Sequence, residues 1–172
     1  RDADAAAETV AAIQALGRRA KAYQASVTDE AASAAMVAAI EDDFGPMSIL
    51  INNAGIASRG RTVADTDAAE VEKLLAVHAV GAHRLSRLAL PQLRQHARSD
   101  VIVISSVATL QHSANSAPYT MAKVAGEALA LALAKEELRN GVRVNIVAPG
   151  LTISDMGERL AQAITGNPDI HH

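Results

Sequence analysis

The sequence predicts an α/β fold, a doubly wound parallel sheet within a single domain spanning 1–172, and three observations carry that prediction. Four short apolar or β-branched runs, 20–25 (AKAYQA), 48–51 (SILI), 101–104 (VIVI) and 142–147 (VRVNIV), alternate with longer helical patterns. Runs of this kind suit strands of a parallel sheet covered on both faces. Strands alternating with helices connect through right-handed crossovers, which stack the elements into a layered sandwich. Ligands of such sheets sit beyond the carboxyl ends of the strands, and three unusual segments fall there: NNAG after SILI, SS after VIVI and APG after VRVNIV.

The helices follow from their end signals. Asp2 or Asp4 precedes AAAETVAAIQAL, with Gly17 after it, and Thr28 or Asp29 precedes EAASAAMVAAIEDDF, with Gly45 and Pro46 after it. A third helical pattern starts near Thr66 or Asp67 and runs through residue 95, with Gly81 and Pro91 as expected irregularities. The fourth opens at Ser116 to Pro118 and ends at Gly141. Its stretch ALALALA, 128–134, alternates like a strand, but the helix propensity of Ala and Leu makes it helical. A helix apolar all round has to be covered twice, which predicts a homodimer or homotetramer.

Composition narrows the function classes. With 16 basic and 19 acidic residues the net charge is −3, and no basic tract offers a nucleic-acid partner. The chain contains no cysteine, so it has neither disulfides nor a thiolate metal site, which fits a cytoplasmic location. No apolar run reaches the roughly 20 residues of a membrane span, and six histidines without ligand spacing predict no metal. The chain begins at Arg1 without a methionine and stops soon after GNPD, so the sheet is expected to be incomplete at both ends.

Chemistry concentrates in SAPYTMAKVAGEAL, 116–129. Tyr119 and Lys123 stand four residues apart at a helix start and share one face. A free tyrosine titrates near pH 10, and a neighbouring ammonium lowers that value, which makes the phenol usable as a proton donor or acceptor. Ser106, thirteen residues earlier at a strand end, can hold the same substrate oxygen. A tyrosine and lysine at this spacing also arise by chance in helices; the company of NNAG, SS and VNIVAPG gives the pair its meaning.

That combination resembles the short-chain dehydrogenase/reductase family over residues 1 to about 167. The resemblance implies a Rossmann-like three-layer sandwich, NADP or NAD as hydride carrier, and a ketone or secondary alcohol as the small-molecule substrate. It makes Tyr119 the general acid or base, Ser106 the group that polarises the substrate oxygen, and Lys123 the residue that binds the nicotinamide ribose. Asn52, Ala54 and Gly55 would line the cofactor, Pro149, Gly150 and Thr152 would border the nicotinamide, and Ser154 stands where the family often has a threonine. His78 occupies the position of a usual asparagine that helps order a water, and joins the catalytic candidates. Ser26 replaces an aspartate that usually touches the adenine, which leaves the Val27 backbone as the contact. Arg1 falls where the family chooses its cofactor, and a cation there slightly favours the 2′-phosphate of NADP.

The family's opening strand and T-G-x-x-x-G-x-G turn have no counterpart in the sequence. A catalytically incompetent fragment, or a binding or structural domain, is therefore the rival reading. GIASRGRT, 55–62, is one residue from a phosphate-binding loop pattern, but no acidic strand motif for Mg²⁺ accompanies it. The segments 109–117 and 151–167 would shape the substrate pocket, the second as an amphipathic lid.

Overall fold

The computed structural model describes residues 2–152, 157–158 and 161–162. Its three-stranded parallel sheet comprises β1 (Ile49–Asn52), β2 (Ser99–Ile104) and β3 (Val142–Val147), in the order β1-β2-β3. The register pairs Ile49 with Asp100 and Ser99 with Val142, so the carboxyl ends Asn52, Ile104 and Val147 lie at one edge of the sandwich. Ala89, Leu93, Val101, Leu133 and Val142 form the core where two helices meet β2 and β3. Burial at β2 alternates between full and partial along its length, as a central strand covered on both faces requires.

Helix ends fall where their caps predict. α1 (Ala3–Ala15) and α2 (Glu30–Phe44) start after Asp2 and Asp29, whose carboxylates accept the N–H of Ala5 and Ala32. The third pattern divides into α3 (Ala68–Leu75), a wide π turn (Ala76–Val80) and α4 (Gly81–Leu93). The irregularity expected at Gly81 thus lies just before it, and Pro91 is carried inside α4. Gly81 is required by close approach: a Cβ there would stand 2.8 Å from Cγ2 of Val27. A short α5 (Ala108–Gln111), which the sequence pattern does not announce, follows β2. α6 (Ala117–Glu137) contains all of ALALALA as helix and passes through one 3₁₀ turn to Gly141, whose φ of 73° is left-handed.

One expected strand is corrected. Residues 20–25 form no ladder among the described residues, because a strand exists only through a hydrogen-bonded neighbour and β1 pairs with β2 alone. Side chains anchor the segment instead: Lys21 and Tyr23 both bond the carboxylate of Asp43, and Arg19 donates to the Asp43 carbonyl at 3.2 Å. Among the described residues, no helix is long and apolar enough to cross a membrane.

Candidate functional site

The three strand ends place the chemistry. Ile104 closes β2, Ser105 and Ser106 follow it, and α6 lies alongside with its first turns against this edge. Lys123 is buried, and its ammonium donates to the Ile104 carbonyl at 2.8 Å. Its Nζ stands 5.6 Å from the centre of the Tyr119 ring, within reach of a cation–π contact. Tyr119 is half-buried, with the Ser106 side chain near enough to favour its phenolate. On its other side the His78 ring meets it edge to face, with centroids 5.5 Å apart. Ser106, Tyr119, Lys123 and His78 are therefore neighbours, although 45 positions separate the first and last along the sequence.

Burial sets the electrostatics. It pushes the Tyr119 phenol up from its usual value, with the Ser106 side chain pulling the other way. It holds the Lys123 ammonium below its usual range. The sequence reading expected lysine to lower the tyrosine's pKa; here the ammonium is directed to the Ile104 carbonyl, and burial governs the phenol. His78 is likewise lowered, first by burial and also by the charge of Lys123, against a bond to Ile56 that raises it.

His78 sits in the π turn and reaches the loop after β1. Its Nε2 lies 3.1 Å from the Ile56 nitrogen and 2.9 Å from the Ile56 carbonyl oxygen, so either neutral tautomer makes one hydrogen bond to that residue. Gly55 permits this: a Cβ there would come within 2.7 Å of the imidazole Cε1. A second latch holds the same loop. Asp67 caps α3, and Glu70, in the first turn, turns its carboxylate to the Arg59 N–H at 2.6 Å.

The cofactor candidates divide. Asn52 is buried at the end of β1, donates its amide to Ser86 at 3.1 Å and leaves its Oδ1 without a partner. With Val27, Ala54 and His78 it lines a cavity of about 10 Å³, room for about one water. Ala54, Gly55 and Gly150 are exposed, and nothing stands within 4 Å of where a Gly150 Cβ would be. Val27 is packed under Gly81, with its carbonyl taken by Arg84. Pro149 receives the Val107 N–H at 3.0 Å, and Thr152 is exposed. Arg1, Ser154 and most of the segment 151–167 lie outside the described residues. The residues present fit a nicotinamide riboside: small or backbone-only positions at the strand ends stand beside a buried lysine and a tyrosine. The sequence has no glycine-rich turn for a pyrophosphate.

The sequence reading passed over Glu127, Glu70 and Ser86, and took Ser105 and Thr109 only as members of SS and of the segment 109–117. The i+4 spacing from Lys123 is the signal that would have found Glu127.

Comparison with known proteins bears on the family and the fold. The family model described as short chain dehydrogenase matches residues 1–165. A protein of Xanthobacter autotrophicus named inactive 2-(S)-hydroxypropyl-CoM dehydrogenase 2 is 38% identical over 160 residues, covering 92% of this chain and 69% of that protein. The same organism's 2-(S)-hydroxypropyl-CoM dehydrogenase 3 is 35% identical over 90% of this chain and 60% of its own length. The crystal structure of an NAD+-bound xylitol dehydrogenase superposes with a TM-score of 0.89 at 26% identity, over 94% of this chain and 62% of that one. The chain thus spans between about three-fifths and seven-tenths of these proteins.

Proposed function

The chain belongs to the short-chain dehydrogenase family, and from that premise we propose that it carries the proton-transfer site of an NAD(P)-dependent oxidoreductase acting on a ketone or secondary alcohol. The observation that carries this reading is the cluster of Ser106, Tyr119 and buried Lys123 at one strand end. When bound, the nicotinamide supplies or accepts the hydride. The protein's own groups manage the proton. Tyr119 Oη gives a proton to the substrate oxygen as the carbonyl is reduced, or takes it when the alcohol is oxidised. The Ser106 hydroxyl donates to that same oxygen and steadies its developing charge. Lys123 presents a cation beside the ring, where a ribose hydroxyl can accept from it. His78 fixes the wall at Ile56, and through that contact it holds the loop that carries Ala54 and Gly55. NADP is slightly favoured on sequence, through the cation of Arg1.

A second reading, a domain that binds without catalysing, draws on His78. Its Nε2 lies against the Ile56 backbone, and one relative bears the name of an inactive dehydrogenase. Titrating the chain with NADPH and then NADH, followed by cofactor fluorescence, tests the main proposal. Weak saturable binding that Lys123→Met weakens further is expected; a folded chain that binds neither would refute it.

Assembly follows from α6. Met121, Val124 and Leu131 are 51%, 41% and 60% exposed and line one stripe of the helix with Ala128. We take this as the homodimer surface. Light scattering of Leu131→Glu should give a smaller particle than the unaltered chain; equal sizes would remove the proposal.

A further inference from the structure

The face of α6 that bears Tyr119 and Lys123 bears a third polar group one turn on, Glu127. Its Oε1 accepts from the hydroxyls of Ser105 and Thr109, the latter at 2.9 Å. Lys123 meanwhile holds the carbonyl of Ile104. α6 therefore grips the two consecutive residues ahead of Ser106 and one three positions after it. From the opposite side, the N–H groups of Ser105 and Val107 donate to the carbonyls of Val147 and Pro149 at 2.7 and 3.0 Å. The Ser106 hydroxyl itself accepts the Ala108 N–H at 3.2 Å, a long bond that fixes it loosely.

We propose that Glu127 is a positioning residue: by clamping Ser105 and Thr109 it fixes the turn 105–109 and sets the Ser106 hydroxyl against Tyr119. The proposal rests on the reading of Ser106 and Tyr119 as the proton-handling pair. Hydrogen bonds to a carboxylate are short and strong, and Ser105 and Thr109 are only 3% and 7% exposed. Without Glu127 the buried Ser105 hydroxyl loses its partner and the turn has a reason to rearrange. Thr109 can still fall back on the Ser106 carbonyl, 2.9 Å away.

The test reads Tyr119 directly. The chain has two tyrosines and no tryptophan, so after Tyr23→Phe the ¹³Cζ signal of Tyr119 is isolated. The groups facing its ring are Ser106, Lys123 and His78. Moving the Ser106 hydroxyl away from the phenol shifts its titration to higher pH, whereas mere removal of a nearby negative charge shifts it lower. Glu127→Ala is expected to shift Tyr119 upward as Ser106→Ala does, and to add nothing in the Ser106→Ala background. Glu127→Gln, which keeps an acceptor oxygen, should restore the original titration. A downward shift, no shift, or an equal shift without Ser106 would overturn the role. If Glu127→Ala does not fold, Ser105→Ala removes one arm of the clamp: an upward shift supports the proposal and none sinks it. Where carbonyl reduction is measurable, Glu127→Ala should lower kcat about ten- to a hundredfold at nearly constant KM, and an unchanged kcat would contradict the proposal. Failure of the unaltered chain to bind NADPH or NADH would strike the functional reading alone, since the Tyr119 titration needs no cofactor.

Discussion

The two walls of the site are held in different ways. The wall made by α6 and the turn after β2 is buried and multiply bonded: Lys123 on Ile104, Glu127 on Ser105 and Thr109, and backbone bonds from Ser105 and Val107 to the end of β3. The opposite wall, residues 53–67, is largely exposed and reaches the protein body through two latches, His78 on Ile56 and Glu70 on Arg59. Proton transfer demands fixed distances, and the groups proposed for it stand on this multiply bonded wall. Contact with a large ligand tolerates adjustment, and the small residues that would meet one lie on the wall that can move.

Removing a group from the fixed wall should cost chemistry more than stability. Lys123→Met is expected to lower hydride transfer about a hundredfold. The same variant should change the melting temperature little, because the lost bond to Ile104 is offset by removal of an ammonium that burial disfavours. Parallel rate and melting measurements check this, and equal losses in both would make Lys123 a structural residue.

On the adjustable wall the order reverses. Glu70→Ala removes the acceptor of the Arg59 N–H and should cost about 0.5–1.5 kcal/mol locally. Hydrogen exchange should then rise at 56–62 while β2 stays protected. Equal loosening of both regions would show that the walls are one unit.

A smaller effect depends on pH. Burial holds the folded His78 below its ordinary pKa, so the unfolded chain takes up a proton there that the folded chain resists. Stability is therefore present above the unfolded value of about 6.5 and falls as pH drops below it. In His78→Asn that contribution to the acid slope disappears. Thermal melts on either side of about pH 6.5 reveal it, and an undiminished slope in the variant would place its origin elsewhere.

Much of this contrast was legible in the sequence, and the reason differs between residues. Asp29 and Asp67 announce helix starts because a cap is a local interaction, complete within three residues. Tyr119 and Lys123 were visible because i and i+4 must share a face, and Ser106 because a strand end points at the same edge. The run 20–25 misled because a strand needs a neighbour, which no local pattern can supply. The latches were hidden for a similar reason. Glu70 reaches eleven residues back, and His78 twenty-two, to backbone atoms that have no side-chain signature. Glu127 looked like one more charge on a helix until the fold brought Ser105 and Thr109 to it.

The central claim is that Tyr119 moves the proton while its neighbours bind and orient. Tyr119→Phe keeps the ring against His78 and Lys123 and removes only the hydroxyl. The most direct measurement is the single-turnover rate of carbonyl reduction by this variant and by the unaltered chain, each saturated with the same cofactor. A fall of at least about a hundredfold, with cofactor binding and melting temperature unchanged, is the predicted result. A rate above about a hundredth of the original would contradict the claim and leave Tyr119 a packing residue beside a site that works by other means.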